Sequence, residues 1–434
     1  MNSTADNPLN RILTDNEVSW LSSVPCLGSI AGSFLFGFIS PTIGKKSVIT
    51  LMGLSYVLFF IIMLCSRVYW LHITARFLSG VGSGGVLLHL PVYIYELALP
   101  DMRKSLMALM YASLNIGMLI TFCTVSRTSF YEYHLVFSTL PMIFVILFTK
   151  LGTESPYSIA TKDVYKAEQI LRELRAKYDV AHELQEIIMY RMETSSVGMV
   201  DLFIAQSTRT SFAIVLGLSI CVTSSGALAI LSYIHFILRS AGGSWPAESI
   251  TVVLGIVQLV TTVVSSNVAE RIGQKQLLSI SYSISSLSQA LLGIYFLMKD
   301  VGVVTSRIFG WIPLASLILY ITAYTLQVTL TGLISVDILP RRIKNLANSV
   351  CSVYTALFGF LIIFYFETLQ ESIGLGQCFL VFSVFGFFAS VFVGVVLVET
   401  EAKRLDPSQC QLNATLDNSS NKLEGTEYGT IDKV

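Results

Sequence analysis

Long apolar runs dominate the pattern of hydrophobic and polar positions along this chain. Six of them hold at least 20 residues each without Asp, Glu, Lys or Arg. They occupy residues 18–44, 47–66, 105–126, 249–269, 276–298 and 372–398. A helix needs about 20 such residues to cross the hydrocarbon core of a bilayer, where its backbone must satisfy its own hydrogen bonds. These runs therefore predict membrane-spanning α-helices.

Five further segments have the same character and bring the predicted number of spans to eleven. They cover residues 68–95, 133–149, 210–238, 308–336 and 345–366. Between the fifth and sixth spans the chain is rich in charge, and its apolar residues recur at helical spacing, as at Val164, Ala167 and Leu171. This segment predicts short amphipathic helices that lie beneath the membrane.

The expected architecture is an all-α membrane protein with two helical bundles. Its predicted parts are an extracellular N-terminal tail at 1–17, a bundle of five spans at 18–151, a cytoplasmic amphipathic linker at 152–209, a bundle of six spans at 210–398 and a disordered cytoplasmic tail at 399–434. Lys and Arg concentrate in alternate connections, which by the positive-inside bias predicts that the connections near Lys45, Arg103 and Arg271 and the C-terminus are cytoplasmic.

Composition agrees with a protein that lies in lipid. Hydrophobic residues make up 53% of the 434 residues and charged residues only 13%, which is too few to cover a surface that faces water. The formal net charge is zero and indicates no nucleic-acid partner. No metal spacing, cofactor motif or nucleophile with a base is evident, so we expect neither an enzyme nor a bound cofactor or metal. The sequence leaves the oligomeric state open.

An internal repeat relates the two predicted bundles. The stretch "SPTIGKKSVI" around Gly44 has a counterpart in "AERIGQKQLL" around Gly273, and "ELALPDMRK" is echoed by "DILPRRIKN". Two similar helical halves are a common plan of transporters. Gly44 follows the first span of its half, whereas Gly273 follows the second. The repeat therefore predicts that the first half lacks its opening helix.

Five motifs in order resemble the sugar porter family of the major facilitator superfamily, and within it the insect facilitated trehalose transporter group. They are "RFLSGVGSGG", "PVYIYELALPDMR", "ESP", "ERIGQK" and "VETEAKRL". The resemblance implies the major facilitator fold and a facilitative carrier of a small-molecule substrate, a hexose or trehalose, that works by alternating access in the plasma membrane. Compared with that family, the chain begins just before the second helix.

By this resemblance, ion pairs at the cytoplasmic helix ends close the inner mouth in one state and part in the other. The residues carried over to this gating network are Lys45, Arg76, Glu96, Arg103, Glu154, Glu270, Arg271, Asp337, Lys344 and Glu399. The alternative interpretation is that these charges only anchor helix ends and set the topology. Arg76 differs from the others because it lies within an apolar run, where an unpaired charge is costly.

The positions that contact sugar in the family are altered here. Val222, Thr223 and Leu228 replace two glutamines and an asparagine, and Gly332 stands where the family has a tryptophan. Polar residues that remain as substrate-binding candidates are Thr223, Ser225, Tyr233, Gln327, Thr331, Tyr354, Thr355 and Tyr111. Each could instead bond its own helix or a neighbouring helix. The altered site leaves two alternatives open: a sensor or partner-binding protein without transport, and an incomplete version of a twelve-helix transporter.

Overall fold

The computed structural model describes residues 8–9, 11–99, 102–125, 127–160, 162–175, 180–195, 200–204, 206–242, 246–302, 309–340 and 343–404. The first half contains α1 (Asp15–Ile43), α2 (Lys45–Cys65), α3 (Tyr69–Leu97), α4 (Arg103–Val125) and α5 (Phe130–Leu151). Four shorter helices follow: α6 (Pro156–Ile159), α7 (Val164–Arg175), α8 (Ala181–Ser195) and α9 (Asp201–Ile204).

The second half begins with a broken helix and continues with five long ones. Its elements are α10 (Gln206–Ser224), α11 (Ala227–Ser232), α12 (Ile234–Ala241), α13 (Ala247–Ile272), α14 (Gln274–Asp300), α15 (Trp311–Ile338), α16 (Lys344–Ile373) and α17 (Leu375–Arg404). Eleven helices of the described chain are long and apolar enough to cross a membrane, which confirms the predicted number of spans. Each half forms one bundle, named here the N-bundle and the C-bundle.

Two sharp connections agree with the internal repeat. Gly44 joins α1 to α2 with φ +89°, and Gly273 joins α13 to α14 with φ +93°. Both residues have a positive φ, a backbone conformation that residues with a Cβ atom rarely adopt. The two glycines therefore turn the chain in the same way at equivalent places of the two halves. The ends of the bundles that carry Lys45 and Asp15 are called the Lys45 end and the Asp15 end below.

The N-bundle is held by direct contact between the backbones of α1 and α3. A Cβ added to Gly80 would lie 2.1 Å from the carbonyl oxygen of Pro25, and one added to Gly32 would lie 2.1 Å from that of Val81. Only glycine allows two helices to approach so closely, which is a usual packing device in lipid. The glycines of "GVGSGG" thus have a packing role.

The C-bundle has a larger core made of side chains. Tyr282, Tyr320 and Phe379 are among its fully buried residues. The two bundles meet where α1 packs against α16 and where α4 packs against α13.

Candidate functional site

A cluster of charged and polar side chains occupies the Lys45 end of the N-bundle. Lys45 forms an ion pair with Glu96 at the end of α3, and both side chains are largely buried. The other carboxylate oxygen of Glu96 accepts a hydrogen bond of 2.5 Å from the hydroxyl of Ser155. These contacts link α2, α3 and the segment after α5.

Glu154 caps the start of α2. Its carboxylate accepts hydrogen bonds from the backbone N–H groups of Lys45 at 2.8 Å and Lys46 at 3.2 Å, and from the hydroxyl of Ser158 at 2.9 Å. A carboxylate is stabilised at a helix N-terminus, where backbone N–H groups are unsatisfied. A Cβ at Gly44 would lie 2.7 Å from Glu154 Oε2, so the glycine leaves room for this cap.

The linker helices are fastened to the same cluster. Arg175 of α7 donates to Glu183 of α8 through Nε at 3.1 Å and Nη2 at 2.7 Å, and its Nη1 donates to the carbonyl of Leu97 at 2.9 Å. Tyr157 lies beside these charges, and burial raises the pKa of its phenol to about 12, so the ring adds no charge to the cluster.

Two basic side chains from different bundles share one aromatic ring. The guanidinium of Arg103 lies 4.0 Å from the centroid of the Tyr95 ring, and Lys344 Nζ of the C-bundle lies 5.8 Å from the same centroid. Such cation–π contacts are favourable within about 6 Å. The sequence reasoning identified both cations but missed Tyr95, which lies one residue before Glu96.

Arg76 does not lie with the other predicted gating charges. It is about 20 residues from Glu96 on α3, roughly 30 Å along the helix axis, and is nearer the Asp15 end. The expectation that Arg76 joins this cluster is wrong, because the helical rise separates the two ends of α3. Arg271 is exposed at the end of α13. The side chains of Glu270, Asp337 and Glu399 lie outside the described residues.

Three of the predicted substrate-binding residues use their hydroxyls within the C-bundle. Thr223 donates to Ser219 O at 2.8 Å, Ser225 to Val222 O at 2.7 Å, and Tyr233 to Ile363 O at 3.3 Å. All three side chains are buried. They lie around the breaks that divide α10, α11 and α12.

The break at Ser225 and Gly226 is supported by two side chains from other helices. Gly226 has φ +71°, so the regular helix ends there and carbonyl groups lose their helical partners. The carbonyl of Ser225 accepts hydrogen bonds from Gln289 Nε2 at 2.7 Å and from the Tyr320 hydroxyl at 3.1 Å. Broken helices of this kind line substrate sites in many transporters.

Gln327 and Gln289 have hydrogen-bonding capacity that is not used within the described residues. Gln327 is fully buried and donates to Ser281 O at 3.2 Å, but its oxygen has no partner there. On the facing helix α14, the Gln289 oxygen is also without a partner among these residues, and the Tyr282 hydroxyl faces the Thr331 hydroxyl of α15. Unsatisfied buried polar atoms are rare in native proteins.

Tyr111 extends from the N-bundle to the C-bundle. Its hydroxyl lies 3.0 Å from the point where a Cβ on Gly332 would stand. One turn further along α4, Asn115 Nδ2 donates to Thr262 Oγ1 of α13 at 2.7 Å. Tyr354 packs its ring against Phe358 with centroids 4.3 Å apart, and Thr355 beside it is half-buried.

The bundles also touch at the Asp15 end. The Ser19 hydroxyl donates to Glu367 Oε2 at 2.9 Å, and the Trp20 ring lies 5.0 Å from Phe364 and 6.0 Å from Phe360. Sequence reasoning missed Glu367 because it ended the tenth predicted span at residue 366, whereas α16 continues to Ile373. The two bundles are thus joined at both ends, by different contacts.

Comparison with known proteins identifies the family. The sequence profile described as "Sugar (and other) transporter" matches residues 2–409. The chain belongs to this family. Among its relatives are the "Facilitated trehalose transporter Tret1" of Culex quinquefasciatus and that of Anopheles gambiae, each 28% identical over 400 residues, or 91% of this chain. The match spans 77% of the Culex protein but only 50% of the Anopheles protein.

Solved structures of sugar transporters share the fold. The "proton:xylose symporter XylE bound to 6-bromo-6-deoxy-D-glucose" superposes with a TM-score of 0.73 and 20% identity, covering 90% of this chain and 88% of that chain. A "partially occluded inward open conformation" of XylE from E. coli gives 0.70 and 18% identity, covering 90% of this chain and 89% of that chain. These likenesses confirm the predicted major facilitator fold.

Proposed function

We propose that this member of the sugar transporter family is a facilitative sugar carrier that works by alternating access. The observation that carries this proposal is that the two bundles meet along two seams, α1 with α16 and α4 with α13, and that different side chains join them at the Lys45 end and at the Asp15 end. Contacts of this kind can part at one end while those at the other end stay closed. The names of the trehalose transporter relatives favour trehalose as the substrate, and a hexose is the alternative.

The proposed orientation places the Lys45 end in the cytoplasm and the Asp15 end outside the cell, with the C-terminus cytoplasmic and the plasma membrane as the compartment. The basic connections near Lys45 and Lys275 support it through the positive-inside bias. Attachment of the amphipathic linker helices to this same end agrees, because their charges must lie in water.

The proposed substrate contacts are polar candidates on α15 and α4, which approach each other at Gly332 and Tyr111. Gln327 offers an amide oxygen without a partner among the described residues, Thr331 offers its hydroxyl beside it, and Tyr111 offers its hydroxyl from the N-bundle. Tyr354 and Thr355 complete this set. Sugar hydroxyls need dense polar partners, since each unpaired buried group costs about 1 to 3 kcal/mol. Thr223, Ser225 and Tyr233 instead shape the broken helix beside the site.

The proposed inner gate combines the cluster of Lys45, Glu96 and Glu154 with the cations around Tyr95. Lys344 moves with the C-bundle, whereas Tyr95 and Arg103 move with the N-bundle, so opening at this end separates them. The predicted charges Arg271, Glu270, Asp337 and Glu399 remain candidates for further pairs of this gate.

Uptake by the purified chain in liposomes tests the proposal. We expect saturable entry of labelled trehalose or glucose that stops when the inside and outside concentrations are equal. Tyr111→Phe should raise KM by roughly threefold or more through the loss of one hydrogen bond, whereas Tyr365→Phe, an exposed tyrosine of α16, should not. Correctly folded protein without saturable uptake of either sugar would refute transport, and sugar binding without flux would indicate a sensor.

A further inference from the structure

A shallow cavity lies at the Asp15 end of the N-bundle, beside the seam that α1 forms with α16. Its volume is about 440 Å³, within the range of small-molecule sites. Asn16, Glu17 and Trp20 of α1 form one wall, and Arg67, Tyr69 and Trp70 at the start of α3 form the other. Two of the four tryptophans in the chain therefore lie in this one cavity.

The wall formed by α1 is held in place by several contacts. Arg11 binds Glu17 with two parallel hydrogen bonds, from Nη1 at 3.0 Å and from Nη2 at 2.5 Å. The Tyr69 hydroxyl donates to the carbonyl of Glu17 at 3.3 Å and so connects the two walls. Below them, Leu9 and Leu13 are buried in a small apolar cluster. The cavity is thus formed before any ligand binds.

The lining combines aromatic faces with exposed polar groups. Trp70 is 72% exposed and Trp20 is 41% exposed, so part of each ring is open to a ligand. Arg67 and Asn16 are exposed as well, and Arg67 makes no ion pair with any of the described residues. Aromatic rings cover the C–H faces of a sugar ring, while guanidinium and amide groups bond its hydroxyls. This is the lining that a neutral polyhydroxylated ring requires.

The small charge of the lining favours a neutral ligand over a phosphate. The Arg11 charge is balanced by Glu17, so Arg67 provides the only remaining positive charge among the described lining residues. A phosphate has three strong acceptor oxygens and is bound best by several charge-assisted donors, which one guanidinium does not supply. Trp20 also connects the cavity to the outer contact between the bundles, because the same ring packs against Phe360 and Phe364 of α16.

We propose that this cavity is an extracellular sugar-binding site that collects the substrate at the outer mouth before it enters the carrier. The inference rests on the proposed transport function and orientation. Binding at a shallow open site is weak, so the site acts at millimolar sugar. Separation of the bundles at the Asp15 end would free the face of Trp20 that now packs on α16, and this places the site next to the entry path.

Tryptophan fluorescence of the full chain in phosphatidylcholine nanodiscs tests this site. The variant Trp245→Phe/Trp311→Phe leaves Trp20 and Trp70 as the reporters. Trehalose should change their emission saturably. Trp70→Ala or Arg67→Gln added to this background should weaken binding and raise the half-saturation concentration of trehalose by roughly three- to tenfold. Arg127→Gln is the matched control at the same end, between α4 and α5, and should leave the titration unchanged.

Uptake by the same variants separates the two proposals. Trp70→Ala should raise KM for sugar with an unchanged maximal rate, because collection is impaired and the carrier is intact. An emission change without uptake in the parent variant would refute transport but would still support the proposed sugar-binding site. Uptake with no emission change would refute the proposed sugar-binding site. Equal titration curves for Trp70→Ala and its parent would refute it as well. A response only to vesicles containing phosphatidylserine would also overturn it and would indicate a lipid headgroup anchor.

Discussion

The N-bundle and the C-bundle repeat one plan but are packed to different extents. In the N-bundle, only 6% of the residues in the most apolar part of α4 are buried, and the same is true of α5. In the counterpart helices α16 and α17, the buried share is 22% and 33%. The broken helix α10 to α12 packs against α16 and α17, whereas no described helix of the N-bundle takes the equivalent place beside α4 and α5.

The two bundles also use different interactions where they are tightly packed. The N-bundle depends on backbone contact between α1 and α3 and on a charged cluster at one end. The C-bundle depends on buried aromatic and aliphatic side chains and on neutral hydrogen bonds from Ser, Gln and Tyr. We infer that the stability of the N-bundle depends little on α4 and α5 and strongly on a few glycines and charges. The stability of the C-bundle is shared among many contacts, so the loss of one of them should cost less.

The largest effect is expected where the helix backbones of the N-bundle touch. Gly32→Val puts a Cβ 2.1 Å from Val81 O, so α1 and α3 must separate along their contact. We expect destabilisation above about 3 kcal/mol and little folded protein by size-exclusion chromatography. Gly37→Val is the control on the same helix, because nothing lies within 4 Å of its Cβ. Equal thermal midpoints for the two variants would show that the backbone contact is not what holds this bundle.

A smaller effect is expected at the charged cluster. Lys45→Met leaves Glu96 with only Ser155 as its described partner. We expect the free energy of unfolding to fall by about 2 kcal/mol. This is less than for a fully buried ion pair, because water reaches this end of the bundle. Lys46→Met is the control, since only its backbone N–H contacts Glu154. The double variant Lys45→Met/Glu96→Gln should recover part of the loss in thermal midpoint. Absence of recovery would mean that the ion pair is not the source of the loss.

The C-bundle should lose less from the removal of one neutral group. Tyr320→Phe removes one of two donors to the Ser225 carbonyl at the helix break, and Gln289 still satisfies it. We expect a cost of about 1 kcal/mol in thermal unfolding. Tyr324→Phe is the matched control, because this ring stacks on Tyr320 and its hydroxyl makes no hydrogen bond with the described residues. A larger loss at Tyr324 would contradict this account of the break.

The spans could be predicted from the sequence because a lipid-crossing helix needs only a local run of apolar residues. The turns at Gly44 and Gly273 were also local, so the internal repeat revealed them. The grouping of charges was not local. Arg76 was placed with Glu96 by motif alone, although α3 holds them at different depths. Tyr95 could not be recognised from the sequence, because aromatic residues are common in apolar runs. Its role is evident only from the packing of Arg103 against its ring.

The candidate site was predictable only in part, for a similar reason. A lone amide in an apolar span prefers the bundle interior, which selected Gln327 correctly as a buried residue. The same rule applied to the span 276–298 would have found Gln289, which supports the broken helix. Thr223 and Ser225 were chosen by alignment, but their hydroxyls bond their own helix. Which face a residue takes depends on helix rotation, and a hydropathy pattern does not fix that.

The smallest effect is expected at the contact that joins the two bundles at the Asp15 end. Ser19→Ala removes the hydrogen bond to Glu367, but this carboxylate is half-buried and water replaces the lost donor. We expect a shift of about 0.5 kcal/mol toward the outward-open state, roughly twofold in its population. Cys26, which lies beside Gly359 of α16, reports the opening through its labelling rate with an impermeant maleimide once the other cysteines are replaced by serine. Ser23→Ala is the control, since its hydroxyl bonds Ser19 O within α1. If both variants label at the same rate, the Ser19 contact does not hold the outer mouth closed, and the closure rests on the other contacts between α1 and α16, such as those of Trp20.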